Sequence, residues 1–148
     1  MYNYDGKYSI LDAPAHLTSF LLESNGKIVD SLTVPENGSL NFNLKIYVYL
    51  PNHVQGEFEG IYLSIYSTGL KNDIYLSQQV ADVTEIAMNP VGLVFPVEID
   101  ANLLIDIHAI NIQLALSSKH DGEMGIGESL LLGRFLNTLI PLKEVQHD

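Results

Sequence analysis

Residues 39–50 read SLNFNLKIYVYL. Leu40, Phe42, Leu44, Ile46, Val48 and Leu50 alternate without a break with Asn41, Asn43, Lys45, Tyr47 and Tyr49. A period of two belongs to a strand with one buried face; a helix would repeat its apolar residues at three and four. The stretch predicts a β-strand with an apolar core side. Its other side carries amides, an ammonium group and phenols.

The same period recurs on both sides of it. Before it, Ser24-Asn25-Gly26 separates two apolar runs, 15–23 and 27–34. Asn-Gly tolerates the two positive φ values of a type I′ turn, so a β-hairpin is expected there. Pro35-Glu36-Asn37-Gly38 is the next turn. Residues 1–14 read as irregular, with at most a short edge strand at 8–11 that Pro14 ends. After the central stretch, 51–60 (PNHVQGEFEG, with His53) reads as a long loop, where function tends to sit on rigid scaffolds. In 61–68, Ile61, Leu63 and Ile65 alternate with Tyr62, Ser64 and Tyr66; in 74–80, Ile74, Leu76 and Val80 stand against Tyr75, Ser77 and Gln79. Residues 81–90 read as a loop with one turn of helix.

Residues 91–100 keep Val91, Leu93, Phe95, Val97 and Ile99 in phase and put Pro96 on the opposite face. Proline has no ladder donor, so this strand belongs at a sheet edge or carries a bulge. Residues 103–117 slip phase between Ile107 and Ile110, which predicts a bulge near His108–Ala109 or a corner between two sheets. Residues 119–127 form a glycine-rich loop. Residues 129–142 read as a final strand broken near Gly133, with Leu131, Phe135 and Leu139 as a competing helical spacing. Residues 145–148 are a polar tail. About eight strands and no amphipathic helix predict a single all-β domain over 1–148, an antiparallel β-sandwich of which a jelly roll is one form.

At 148 residues the chain can bury a core without staples. It has no cysteine, which removes disulfides, thiolate metal sites and cysteine nucleophiles. Its net charge is −11, with seven cations spread singly. Phosphate backbones need clustered cations, so nucleic acid and anionic membrane surfaces are disfavoured. No leader-like apolar segment and no run near 18 apolar residues is present, which suggests a soluble chain, cytoplasmic or part of an assembled particle. Asn37-Gly38-Ser39 fits a glycosylation sequon, a pattern frequent by chance.

Catalytic motifs fail individually. In Gly127-Glu128-Ser129-Leu130-Leu131 a leucine replaces the second glycine of a nucleophile elbow. Gly125 and Gly127 lack the third glycine and the strand–helix setting of a dinucleotide site. Glu57, Glu59, Glu98 and Asp100 are acids that a glycosidase pair would need to bring together. Asp106 and His108 would share a face of a flat strand, as two ligands of a metal site. His120, Asp121 and Glu123 form a second oxygen-and-nitrogen group without the calcium-loop pattern. No cofactor is implied.

The tyrosines are the better signal. Tyr47 and Tyr49, Tyr62 and Tyr66, and Tyr75 all fall on outward positions of three successive strands. Were those strands neighbours, five phenols would share one sheet face, a surface suited to protein or sugar. The expectation is a non-catalytic binding or structural module. It would act through that face and the His53 loop, on a protein partner or a second copy. The alternative is a carbohydrate-binding module; a hydrolase or metal enzyme comes third.

Overall fold

The computed structural model describes residues 15–50, 58–68, 74–82, 89–118 and 134–144. Among them are nine strands and no α-helix: β1 (His16–Ser24), β2 (Lys27–Val29), β3 (Leu32–Val34), β4 (Ser39–Tyr49), β5 (Phe58–Ser67), β6 (Tyr75–Asp82), β7 (Val91–Asp100), β8 (Ala109–Ser118) and β9 (Arg134–Glu144). They form two sheets. Sheet one has the order β2-β1-β4-β7 and sheet two the order β3-β9-β8-β5-β6.

The quoted stretch is β4, between β1 and β7. Leu40, Phe42, Leu44, Ile46 and Val48 are at most 4% exposed, and Leu44, Ile46 and Val48 are at 0%. The hairpin also forms: Asn25 and Gly26 have φ of 53° and 77°, and Ser24 pairs with Lys27. Its second run is shorter than expected. Only Lys27–Val29 pairs with β1; the chain bends at Asp30 and Ser31, and Leu32–Val34 then joins the other sheet as β3. β3 runs parallel to β9, the one departure from an otherwise antiparallel pairing among the described residues.

β7 lies at the edge of sheet one, as Pro96 requires. The Pro96 carbonyl accepts a 2.5 Å hydrogen bond from Gln79 Nε2 of β6 rather than from β4. A strand residue points its nitrogen and its carbonyl to the same side. The missing Pro96 donor therefore faces the open edge, where it costs no ladder bond.

Three readings need correction. The apolar residues before β8 are not a bulged strand; of the two expectations it is the corner that holds, since they lead from β7 in sheet one to β8 in sheet two. Asp100 accepts a 2.9 Å bond from Asn102 N and caps a 3-10 helix over Ala101–Leu104. Asp106 then turns the chain with φ 62°, leaving Leu103 50% and Ile105 68% exposed. In β6, register slips past Leu76, between the pairs Ile65–Ser77 and Tyr66–Tyr75. Beyond that bulge the faces exchange, so Val80 points outward (54% exposed) and Gln79 reaches inward to Pro96. Phe58–Gly60 belongs to β5 and Ala81–Asp82 to β6, where loop was expected; the rest of the loop at 51–60 and the turn of helix expected within 81–90 fall on 51–57 and 83–88, outside the described residues. Residues 134–144 are one strand, without the helical alternative; Gly133, the segment at 8–11 and the loop at 119–127 lie outside the described residues.

One cluster of buried side chains draws on both sheets. Leu22, Leu44, Ile46, Phe95, Val97 and Ile99 come from sheet one. Leu32, Ile61, Leu63, Ile65, Ile110, Ile112, Leu114 and Ile140 come from sheet two.

Candidate functional site

The tyrosines do not share a face. β4 lies in sheet one, and β5 and β6 lie in sheet two. Tyr47 and Tyr49 therefore stand on the outer side of one sheet, and Tyr62, Tyr66 and Tyr75 on the outer side of the other. The expectation of five phenols together is replaced by a group of two and a group of three.

On sheet one, Tyr47 is 53% exposed and Tyr49 42%. Tyr47 pairs with Gly92 of β7, and its ring lies across that residue: a Cβ there would sit 2.8 Å from Tyr47 Cε1. Tyr49 pairs with His16 of β1, their rings 6.3 Å apart. Farther along the same face Lys45 Nζ meets Glu23 Oε2 at 2.7 Å. That hydrogen bond first, and then the lysine charge, hold the Glu23 carboxyl below the usual range. Glu98 and Asn41 face each other across β4 and β7 beside a shallow hollow of about 450 Å³. This is a charged face.

The outer face of sheet two differs in chemistry. Ile61, Leu63 and Ile65 point into the core, so Tyr62, Ser64 and Tyr66 point away from it. Register then builds three rows. Val80, Tyr62, Ala115 and Arg134 form the first. Gln78, Ser64, Gln113 and Asn137 form the second. Tyr75, Tyr66, Asn111 and Leu139 form the third. The amides link β8 to β9: Gln113 Nε2 donates to Asn111 Oδ1 at 2.6 Å, and Asn111 Nδ2 donates to Asn137 Oδ1 at 2.6 Å and to the Thr138 carbonyl at 3.1 Å. Tyr66 and Tyr75 pack edge to face, with centroids 5.2 Å apart, a favoured aromatic arrangement. Arg134 is the charged residue of these rows, and Ser64 and Ala115 at their centre are at 0% exposure. Lys143, near the end of β9 beyond the pairing with β8, lies outside them.

Burial first, and then the Tyr66 phenol, push the Tyr75 phenol above its usual value; Ser64 offsets part of this and Tyr62 adds to it. The Ser64 hydroxyl itself is fully buried and has no hydrogen-bond partner of good geometry. A raised phenol favours the protonated form in the folded state. Its small contribution to stability is complete below about pH 10 and is lost as pH climbs through the raised value. Subtracting a 295 nm titration of Tyr75→Phe from that of the wild type should reveal one phenol ionising later than free tyrosine. Ionisation at or before free tyrosine would contradict the packing described.

Asp106 and His108 do not share a strand face. Asp106 sits in the left-handed turn and His108 just before β8. Both border an open cavity of about 1140 Å³, together with Glu36, Asn102, Ile105 and Lys143. Among the described residues no three histidine, aspartate or glutamate side chains are grouped to hold a metal ion. His53, His120, Asp121, Glu123 and Glu57 lie outside the described residues, and nothing is described of the Glu59 side chain.

The amides of Asn111, Gln113 and Asn137 were missed as site residues. Their outward phase is readable beside Ile110, Ile112 and Leu114, but their place beside the tyrosines depends on strand order. No protein-family model matches the chain, and a search of curated proteins finds no similar sequence.

Proposed function

We propose that the chain is a non-catalytic binding module, a β-sandwich whose working surface is the outer face of sheet two. The sandwich reading, of which a jelly roll is one form, is supported by the single core cluster fed by both sheets. The functional reading is carried by one observation: three phenols and four amides lie in continuous register on a face whose rows hold a single charged residue, Arg134. Phenols give large contact area at low entropy cost, and amides supply adaptable hydrogen bonds. The preferred target is a protein surface, in a structural or assembly role.

The amide ladder favours a second reading, a neutral carbohydrate, because paired amides and phenols can each donate to and accept from sugar hydroxyls. Screening the purified chain on an array of neutral oligosaccharides, and measuring its solution mass in parallel, separates the two. In either case Tyr66→Ala should abolish the binding seen while Tyr47→Ala, on the other sheet, leaves it intact. The opposite pattern, or the absence of both glycan binding and association, refutes the assignment.

A further inference from the structure

We infer that Asn37 is a site of spontaneous deamidation, and that the fold selects it over Asn25. The chain has two Asn-Gly pairs, 25–26 and 37–38. Asparagine before glycine is the reactive case, because no Cβ on the next residue shields its backbone nitrogen. The structure holds the two pairs differently. Asn25 and Gly26 form a hydrogen-bonded two-residue turn, with φ of 53° and 77°, closed by the Ser24–Lys27 pair. Swinging the Gly26 nitrogen over the Asn25 side chain would open that turn. Residues 36–38 are a bend without a turn hydrogen bond, and Asn37 and Gly38 are both exposed. Nothing lies within 4 Å of the point where a Cβ would stand on Gly38, and the same is true of Gly26, so the difference is one of backbone restraint rather than space. Among the described residues the Gly38 nitrogen donates to nothing, while its carbonyl accepts from Ala101 N at 2.9 Å.

In the reaction the Gly38 nitrogen gives up its proton and bonds to Asn37 Cγ. The Cγ–Nδ2 bond breaks, and the amide nitrogen leaves with that proton as ammonia. A five-membered succinimide remains. Water then cleaves one of the two ring bonds to nitrogen. Cleavage at Cγ yields aspartate; cleavage at the backbone carbonyl yields isoaspartate, whose main chain runs through Cβ and Cγ. One amide and one water become one carboxylate and one ammonium ion, and nothing is oxidised or reduced. The isoaspartate adds a main-chain carbon just before the Gly38 carbonyl, which anchors Ala101 at the start of the 3-10 helix. That helix and Glu36 border the open cavity at the corner between the sheets. Deamidation of Asn37 therefore loosens the tie between this corner and the start of β4.

The test is incubation of the full chain in mildly alkaline buffer at physiological temperature, folded and in denaturant, followed by trypsin. Cleavage after Lys7, Lys27 and Lys45 places Asn25 in the peptide 8–27 and Asn37 in the peptide 28–45. Mass spectra report the gain of one mass unit, and fragmentation separates Asn37 from Asn41 and Asn43. Labelling with an isoaspartyl methyltransferase counts the isoaspartate. In the folded chain Asn37 should convert roughly tenfold faster than Asn25, because only Asn25 must first open a hydrogen-bonded turn. In denaturant the two rates should converge, since both residues precede glycine. Asn37→Gln, whose ring would need one more carbon, should remove the fast conversion, with circular dichroism melting to check that it is folded. The isoaspartate fraction should melt below Asn37→Asp, which carries the same new charge on a main chain of normal length. Equal rates in the folded chain, a faster rate at Asn25, or an unreacted peptide 28–45 after the denatured chain has converted overturns the site. An isoaspartate fraction that melts with Asn37→Asp overturns its link to the corner.

Discussion

Replacing Leu44 by alanine should lower the denaturant midpoint sharply while leaving the slope of the transition unchanged. Leu44 is at 0% exposure in the middle of β4, between Leu22 of β1 and Phe95 of β7 in the ladder. All three are buried, so neighbours on both sides lose contacts at once. β4 is itself held by two ladders, which restricts how far the site can collapse to fill the void. A Leu→Ala change in such a place costs about 2–5 kcal/mol, the upper end applying where the cavity persists. For a chain of this length that corresponds to a fall in melting temperature on the order of 10 °C. Ile28→Ala is the matched control: Ile28 is 72% exposed on β2 and should shift stability by no more than about 0.5 kcal/mol. Equal losses in the two variants would mean that β4 does not sit at the centre of the core.

Removal of the Asn89 side chain should have the second-largest effect, although Asn89 is itself exposed. Its Oδ1 accepts from Leu50 N at 3.0 Å, and its Nδ2 donates to the Leu50 carbonyl at 2.8 Å. The side chain thus behaves like one more residue of a neighbouring strand where β4 has ended. Leu50 is 2% exposed, so its backbone depends on these contacts rather than on bulk water. Two hydrogen bonds to a buried peptide, with the desolvation that follows their loss, place Asn89→Ala at about 2–3 kcal/mol. Asn89→Asp keeps the acceptor but loses the donor and aims a carboxylate at the Leu50 carbonyl, so it should not rescue. Urea denaturation of the three proteins decides this. Neutral behaviour of Asn89→Ala would show that Leu50 is held by its other interactions.

Local periodicity was a good guide where one strand keeps one phase. β4, β7 and the Asn25-Gly26 hairpin could be read directly, because each rests on alternation or on a turn's need for positive φ. The failures share a cause. The Leu76 bulge reverses the faces of β6 without any glycine or proline to mark it. Leu103 and Ile105 mimic strand alternation, while the cap from Asp100 and the left-handed Asp106 commit the segment to a turn. The split of residues 27–34 between two sheets follows from pairing with β9, which no local pattern encodes. The candidate site suffered most from this limit. That Tyr62, Tyr66 and Tyr75 share an outward face was legible, apart from the bulge; that Tyr47 and Tyr49 belong to the other sheet depends on which strands become neighbours.

The parallel pair of β3 and β9 carries a consequence for how the molecule is made. Leu32 finds its partner in Leu142, 110 positions later. So large a separation is entropically slow to close, and contacts of this kind set the pace of folding. During synthesis, residues 32–34 emerge 110 positions ahead of their partners in β9, the one ladder neighbour they have among the described residues. In that interval the short edge they will form depends on chaperones or on its own brevity to avoid the wrong partner.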